Sequence, residues 1–387
     1  MGHGRVASGR RGGGLWVMLV ALLVLVAGCA DFPDDGQRAW TDQVENSGEL
    51  GGPPSVQQPP PPGSPGGGRS QPPQSSAPQQ PAGCVDPDPQ VVATCLGPVS
   101  AIAVLPDATS ALVAERATGR VLRVQRGTAP QVVATVSVDA AAGGLAGLVL
   151  SPSYAEDELV YALAATGTDL RVVRISAGEP PKPVLTGIPR GPGGALGVDP
   201  ATGALLVATG GPSTDPSSLA GKVLRIDTLG RPVAGNPGGT AVYASGLNSP
   251  QGMCTGADGT TWVTDRAPGR DVLHRVTPGT LPAPAWTWPD RPGVAGCTAT
   301  AGVLAIALTG TKSLFALRPG ENGTFTGDPQ TLLPDAYGRL FATAPGPDGL
   351  LWLGTVNKDG GAGAAPKPND DRVVRIQPPT GGGASRA

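Results

Sequence analysis

Short apolar runs recur along the middle of this chain, and each is followed by a run in which apolar and polar residues alternate. The first apolar run covers 111–115, and Arg123 interrupts the alternating run that follows it. Alternation with a period of two is typical of a half-buried strand. Successive units start about 40 to 60 residues apart, a spacing typical of propeller blades. The pattern therefore predicts six β-rich units, made of the paired segments 111–115 and 121–124, 159–162 and 171–175, 204–208 and 222–226, 261–264 and 273–276, 303–307 and 313–317, and 350–353 and 372–376.

A unit of this size cannot bury both of its faces alone, whereas a ring of such units can. We therefore predict an all-β fold, a six-bladed β-propeller. In each unit we predict that the first run is the inner strand and that the second carries outward arginines. Asp258-Gly259 and Asp348-Gly349 introduce two of the units and are typical of hairpin turns. A pair of packed sheets is the alternative, but it does not explain the repeat.

The first 28 residues have the layout of a secretory signal. Three arginines precede an uncharged apolar run at 15–27. This run is shorter than the roughly 20 residues of a membrane-spanning helix, and it ends in the sequence VAGC at Cys29. Small residues before a cysteine resemble a bacterial lipobox, which implies acylation of Cys29. The sequence thus predicts a lipoprotein held by acyl chains such as palmitate on the extracytoplasmic face of the cell membrane. A cleaved signal with an incidental cysteine is the alternative.

The remaining chain divides by composition. Residues 29–82 are rich in Pro, Gly and Gln, cannot bury a core, and are predicted to be a disordered tether. Residues 83–379 are predicted to form the propeller, and 380–387 a flexible tail. The 60 glycines and 44 prolines favour many short strands over long helices. The formal net charge of −2 gives no indication of a nucleic-acid partner.

Five cysteines are present, and four remain if Cys29 carries the lipid. An even number in an exported protein predicts two disulfides. We predict the pairs Cys84–Cys95 and Cys254–Cys297. None of the four stands in a C-x-x-C spacing, which argues against a metal site. The sequence leaves open whether the second bond crosses between units or closes a loop.

Several segments resemble, in the same order, motifs of the glucose/sorbosone dehydrogenase family, soluble quinoproteins that use pyrroloquinoline quinone (PQQ) and calcium. They are LVAER at 112–116 with GRVLRV at 119–124, GLAGLVLSP at 144–152, SLAGKVLRID at 218–227 and PQG at 250–252. The resemblance extends from about residue 98 to residue 376. It implies a propeller of six blades and an ancestral activity in sugar oxidation.

Sugar oxidation by a quinone requires a general base that takes the hydroxyl proton as hydride leaves. The resemblance places the family's base, a histidine before a Gly-Gly pair, at Gly191. The candidate catalytic residues that remain are Asp271 and His274. Asp271 matches an acidic residue that assists the base, and His274 is the one histidine after the predicted signal peptide.

The resemblance also implies sites for PQQ and calcium. An arginine and an asparagine that hold the cofactor in the family are Asn248 and Ser249 here, while Gln251 is kept. Of a later arginine pair, Arg339 remains and the second position is Phe341.

Two further positions follow from the same comparison. Lys312 is the candidate for a family lysine, in a register that the sequence leaves open. Calcium would be held by the backbone carbonyls of Ala267 and Pro268, where the charge of Arg266 would compete with a bound cation.

Trp286 and Trp288 have two interpretations. They could stack on a sugar at the mouth of the propeller, or they could pack between blades. Packing between blades is favoured.

Two main hypotheses of function result. The first is a lipid-anchored propeller with a degenerate site that binds a sugar, another ligand or an envelope protein. The second is a PQQ-dependent aldose dehydrogenase with a rearranged site that uses Asp271 or His274 as base. A purely structural role in an envelope complex is a third hypothesis, and the sequence does not predict the oligomeric state.

Overall fold

The computed structural model describes residues 1–2, 84–300, 302–320, 323–361, 363 and 365–378. The chain divides into two units, Met1–Pro72 and Pro73–Ala387, and the fold below is that of the second unit. The predicted lipidation site Cys29, the tether and the tail lie outside the described residues, and the domain bounds stay predictions. Among the described residues, no helix has the length and apolar character needed to cross a membrane.

The described residues form six sheets, each of four or five strands. From the inner strand outward, the first three sheets are β2 (Val99–Val104), β3 (Ser110–Glu115), β4 (Arg120–Gln125), β5 (Thr128–Thr135); β6 (Leu145–Leu150), β7 (Val160–Ala165), β8 (Leu170–Ile175), β9 (Lys182–Ile188); and β10 (Gly194–Asp199), β11 (Ala204–Thr209), β12 (Lys222–Ile226), β13 (Val242–Ser245), β17 (Gly279–Thr280).

The other three sheets are β14 (Pro250–Thr255), β15 (Thr261–Ala267), β16 (Arg270–Arg275), β18 (Trp286–Trp288); β19 (Val294–Thr300), β20 (Val303–Leu308), β21 (Ser313–Leu317), β22 (Gln330–Leu332); and β23 (Leu340–Pro345), β24 (Leu351–Thr355), β25 (Val373–Ile376), β1 (Val91–Ala93). The helical segments are α1 (Tyr154–Asp157) and two 3-10 turns, Ala140–Ala142 and Pro237–Gly239.

The six sheets form a closed ring of blades. Each inner strand contacts the inner strands of its neighbours, and β2 of the first blade contacts β23 of the last. The amino-terminal strand β1 completes the last blade, because Val91 pairs with Val374 on β25. The predicted six-bladed propeller is confirmed.

The predicted order of strands within a blade was wrong. The apolar runs that the sequence analysis assigned to inner strands are the second strands: β3, β7, β11, β15, β20 and β24. A second strand is covered on both faces by neighbouring blades, so it reads as a continuous apolar run. The inner strands carry glycine where blades meet near the axis. A Cβ on Gly147 would lie 2.7 Å from the Cβ of Leu196, and one on Gly252 would lie 2.6 Å from the Cα of Gly296.

An aromatic cluster fills the space between the fourth and fifth blades. The ring of Phe315 lies 5.9 Å from that of Trp286 and 5.4 Å from that of Trp288. Phe325 packs on Trp262 and on Trp286, at 5.4 and 5.9 Å. The interpretation of Trp286 and Trp288 as packing residues is confirmed.

Both predicted disulfides are confirmed. Cys84–Cys95 flanks β1 and holds the strand that closes the ring. Cys254–Cys297 joins β14 to β19, with its Cα atoms 5.6 Å apart, so it crosses between the inner strands of the fourth and fifth blades.

Candidate functional site

The inner strands surround a central channel with a volume of about 350 Å³. Its lining consists mostly of Ala, Gly, Val and Leu, with Thr298 and Thr343 among the polar exceptions. These residues offer packing surface and few groups able to transfer protons or bind ions. The charged side chains that could act on a ligand lie instead at one end of the channel.

A second cavity, of about 480 Å³, shares Ala146 and Gln251 with the channel and so lies at one end of it. We call this cavity the mouth. Its volume falls in the range typical of small-molecule sites. Arg116, Phe341, Lys358 and Asp359 contribute to its wall, together with a series of alanines.

Arg116 enters the mouth from the turn between β3 and β4. Its guanidinium carbon lies 4.1 Å from the ring centroid of Phe341 on β23, a cation–π contact. Burial lowers the pKa of Arg116 to about 10, with the nearby charges of Asp359, Arg266 and Arg339 as smaller influences. The guanidinium therefore remains charged at neutral pH.

Arg339 lies beside the mouth and forms an ion pair with Asp359. Its Nη2 atom is 2.9 Å from Asp359 Oδ2, and the two side chains are 11% and 15% exposed. The backbone amide of Arg339 donates to Asn357 Oδ1 at 2.8 Å. The predicted cofactor-binding arginine is thus near the mouth, but its charge is already matched by a carboxylate.

Arg266 holds a fixed positive charge between the fourth and fifth blades. Its Nε donates to the carbonyl oxygen of Val294 at 2.9 Å, and its Nη2 donates to Thr309 Oγ1 at 3.1 Å. Burial lowers the pKa of Arg266, while the carboxylate of Asp271 acts in the opposite direction. The neighbouring Ala267 pairs with Arg270 across the turn between β15 and β16. Ala267 and Pro268, the predicted calcium ligands, therefore lie in a hairpin turn beside a bound guanidinium.

Asp271 is buried and takes part in the backbone structure. Asp271 is only 1% exposed. Its Oδ2 accepts hydrogen bonds from the amides of Gly293 and Val294, at 2.7 and 3.0 Å. If this carboxylate moved to accept a proton from a substrate, both backbone amides would lose their acceptor. Buried amides without a partner lower the stability of the fold. The geometry thus gives Asp271 a structural task, and its catalytic role stays a prediction.

His274 lies on β16, away from the residues that line the channel and the mouth. Its Nε2 atom is 3.9 Å from Asp265 Oδ2. Asp265 is fully buried and accepts hydrogen bonds from the amides of Asn248 and Ser249 at 2.9 and 2.5 Å. Asp265 therefore supports the loop that precedes β14, and His274, which lies behind Asp265, is not among the residues that line the mouth.

The buried His274 gives the fold an expected pH dependence. Burial lowers the pKa of His274, and the carboxylate of Asp265 opposes this while Arg270 adds to it. The unfolded chain, in which the histidine has a pKa of about 6.5, then binds more protons than the folded protein. We expect the free energy of unfolding to fall as the pH drops below about 6.5. Urea titrations at pH 7.5, 6.5 and 5.5 measure this, and His274→Asn should flatten the dependence. Parallel pH profiles for the two proteins would contradict it.

The other predicted ligands are separated in space. Gln251 lines the mouth, where its Nε2 donates to Ser249 Oγ at 2.9 Å. Asn248 instead turns its Nδ2 to Asp265 Oδ2, at 3.3 Å. Lys312 lies in a different, smaller pocket, with its Nζ 3.5 Å from Asp335 Oδ1. Within the described part of the chain, no three His, Cys, Asp or Glu side chains form a group that could hold a metal.

The loop before β10 passes very close to the loop after β11. A Cβ on Gly191 would lie 2.6 Å from the carbonyl carbon of Gly210 and 3.1 Å from the amide nitrogen of Gly211. A Cβ on Gly210 would in turn lie 2.7 Å from the carbonyl carbon of Pro192. Real Cβ atoms do not approach backbone atoms this closely. The two loops therefore leave no room for a side chain at position 191.

Comparison with known proteins agrees with the resemblance seen in the motifs. The sequence model for glucose/sorbosone dehydrogenase matches residues 97–290, which are 194 of the 387 residues. The chain belongs to the glucose/sorbosone dehydrogenase family. A search of curated proteins gives no match.

Solved structures of family members share the fold. The PQQ-bound aldose sugar dehydrogenase of Streptomyces coelicolor is 29% identical, with a TM-score of 0.68 over 75% of this chain and 96% of that one. A putative glucose dehydrogenase from Thermus thermophilus is 30% identical, with a TM-score of 0.66 over 74% and 98%. The apo aldose sugar dehydrogenase of Escherichia coli, at 20% identity and a TM-score of 0.62 over 74% and 99%, shares the fold alone.

The glucose/sorbosone dehydrogenase motifs drew attention to Arg339 but not to Arg116. Arg116 stands within the LVAER motif, where it reads as part of a strand signature. Its position depends on contact with Phe341, which lies in the last blade and which the resemblance assigns to the second position of the family's arginine pair. Closure of the ring brings these two distant residues together, and no spacing along the sequence signals that contact.

Proposed function

We propose that this chain is a lipid-anchored, extracytoplasmic propeller of the glucose/sorbosone dehydrogenase family whose mouth binds a ligand and does not oxidise sugars with PQQ. One observation carries this proposal. The resemblance assigns the family's base to the position of Gly191, and the backbone of Gly210 occupies the space that a side chain there would need. Loss of a general base costs roughly 10²- to 10⁴-fold in rate.

The residues that could replace the base also support the proposal. Asp271 is committed to the amides of Gly293 and Val294. His274 is buried near Asp265 and does not line the mouth. A base must reach the proton that it removes within hydrogen-bond distance or through one water. Neither side chain meets that condition for a substrate in the mouth.

The described residues fit calcium poorly as well. The turn at Ala267 and Pro268 adjoins Arg266, whose guanidinium already uses the carbonyl oxygens of Gly293 and Val294. A divalent cation placed there would meet a fixed like charge in a buried setting, where screening by water is weak. We therefore derive no catalytic step through PQQ or calcium.

A PQQ-dependent aldose dehydrogenase with a rearranged site is the second candidate. Gln251 at the mouth and Arg339 beside it favour this function, as does the PQQ-bound Streptomyces relative. The two candidates differ in what calcium does. A quinoprotein binds PQQ in a calcium-dependent manner, whereas the proposed binding protein at most attracts the carboxylates of PQQ.

Calorimetric titration with PQQ, in the presence of Ca²⁺ and then of EDTA, separates the two candidates. The proposal predicts no heat that depends on calcium and no calcium-dependent rise in melting temperature. Ligand at 100 times its dissociation constant stabilises a protein by about 2.7 kcal/mol, so a true site would be visible in both readouts. Tight, calcium-dependent binding would overturn the proposal in favour of the quinoprotein.

The anchor has its own test. Replacement Cys29→Ser is expected to release the protein from the membrane fraction into the medium, because the acylated side chain is lost. Ala30→Ser, one residue further on, serves as the matched control and should remain in the membrane fraction. Fractionation followed by mass spectrometry of the amino terminus measures both. Unchanged membrane retention of Cys29→Ser would show that a lipid on Cys29 is not the anchor.

A further inference from the structure

The mouth has two unlike walls. One wall is apolar and consists of small side chains, among them those of the turn Ala140–Ala142, Ala165 and Leu170. The rest of the lining includes three charged residues, Arg116, Lys358 and Asp359. A site for a neutral sugar needs hydrogen-bonding groups around the ring, and buried hydroxyls without partners are costly. The alanine wall offers side chains without such groups.

The charges around the mouth do not balance. Arg116, Arg266 and Arg339 lie close enough to influence one another, and the carboxylates near them are Asp271 and Asp359. Asp359 pairs with Arg339, and Asp271 accepts from backbone amides. Within the described residues, no carboxylate forms an ion pair with Arg116. Asp359 also lines the mouth and its charge favours the Arg116 cation, but its ion pair is with Arg339. The positive charges of Arg116, Arg339 and Lys358 therefore exceed the one carboxylate, and a ligand can match the charge of Arg116.

Phe341 fixes where that charge lies. The guanidinium of Arg116 sits 4.1 Å from the centroid of the Phe341 ring, and both residues line the mouth. An aromatic face attracts the cation but accepts no strong hydrogen bond from its N–H groups. Those groups can donate in pairs to a carboxylate, which is the geometry that arginine favours. Lys358 adds a second, more exposed positive charge to the lining, and its Nζ donates to the carbonyl oxygen of Leu96 at 3.0 Å.

We propose that the mouth binds a small organic acid with an apolar body, whose carboxylate lies on Arg116 and whose body lies against the alanine wall. This inference rests on the proposed function, because it names the class of ligand for the same cavity. A cavity of about 480 Å³ has the size of a small-molecule site. Burial of the body supplies affinity in proportion to its apolar area, and Arg116 supplies selection for the anion.

Octanoate is a suitable probe, and octanamide is its neutral counterpart of nearly equal shape. The experiment uses the full chain with Cys29→Ser, which removes the lipid and avoids detergent. Calorimetry should show that octanoate binds at least about tenfold more tightly than octanamide, because one charge-assisted pair is lost. Acetate, which lacks the body, should bind at least about tenfold more weakly than octanoate, and glucose should give no heat.

Substitutions in the lining of the mouth test whether octanoate binds there. Arg116→Gln should weaken octanoate binding at least about tenfold, and Arg116→Lys, which keeps the charge, should weaken it less. Arg126→Gln removes an exposed arginine outside the mouth and should bind like the parent protein. Ala141→Leu fills part of the apolar wall and should weaken octanoate while the charge is intact. Melting curves confirm that each variant is folded.

Three results would overturn the inference: equal affinity for octanoate and octanamide, parent-like binding by Arg116→Gln, or no heat from octanoate at millimolar concentration. These failures differ from failure of the proposed function. The proposed function fails if PQQ and calcium support sugar oxidation, whatever octanoate does. The ligand class fails if octanoate does not bind the mouth of a protein that shows no such oxidation.

Discussion

Replacement of both Cys254 and Cys297 by alanine is expected to lower the free energy of unfolding by about 4 kcal/mol. The bond joins residues 43 positions apart, so its removal restores much of the conformational entropy of the unfolded chain. It also joins the inner strands β14 and β19, beside the channel. Each blade in a ring packs on its neighbours, so loosening one junction weakens the closure of the whole propeller.

The second disulfide provides a matched comparison. Cys84 and Cys95 are 11 positions apart, and the same relation gives about 3 kcal/mol for their joint replacement by alanine. Urea unfolding of both double variants, with the parent protein as reference, measures the order of the two effects. A loss below about 1 kcal/mol for the Cys254 and Cys297 pair, or a smaller loss than for the Cys84 and Cys95 pair, would contradict this explanation.

Replacement Gly191→His is expected to destabilise the protein by roughly 1–3 kcal/mol and to restore no sugar oxidation. The new Cβ would lie 2.6 Å from the carbonyl carbon of Gly210, so the two loops must move apart. Reintroduction of a base usually changes a rate by roughly 10²- to 10⁴-fold where the site accommodates it. Thermal unfolding and a dye-coupled assay with PQQ, Ca²⁺ and an aldose measure the two effects.

Arg190→His is the control for this experiment. Arg190 is exposed on the same loop, one residue earlier, and its weak contact with Asp139 spans 3.9 Å. The control should keep the stability of the parent protein, because a histidine there meets no backbone. A PQQ-dependent rate in Gly191→His alone would mean that the loops open readily and that the base is the one missing part.

Much of the fold could be predicted from the pattern of residues because covered strands leave a strong signal. The second strand of each blade is buried on both faces, and β3, β7, β11 and β20 are buried at every position. The inner strands gave no such signal. Gly147 and Gly252 stand where neighbouring strands nearly touch, and that requirement removes the apolar side chains that mark a strand. The sequence pattern therefore predicted the number of blades correctly, but it assigned the second strand of each blade to the inner position.

The site was less predictable, because its geometry depends on ring closure and on space. The motif resemblance assigns the family's histidine to the position of Gly191, but the approach of Gly210 that closes the space there has no signal in the sequence. The resemblance predicted Arg339 as a site residue, whereas its pairing with Asp359 depends on the long loop after β24. Arg116 and Phe341 come from the first and last blades, which only the closed propeller brings together.

We propose that this chain retains the scaffold of its family and lacks the quinone chemistry of the sugar dehydrogenases that share it. The most direct test is a dye-coupled assay of the purified protein, loaded with PQQ and Ca²⁺, across a panel of aldoses. The aldose sugar dehydrogenase of Streptomyces coelicolor, treated identically, provides the positive control. The account predicts the same rate of dye reduction with and without PQQ. A PQQ-dependent rate that saturates with aldose concentration would contradict it.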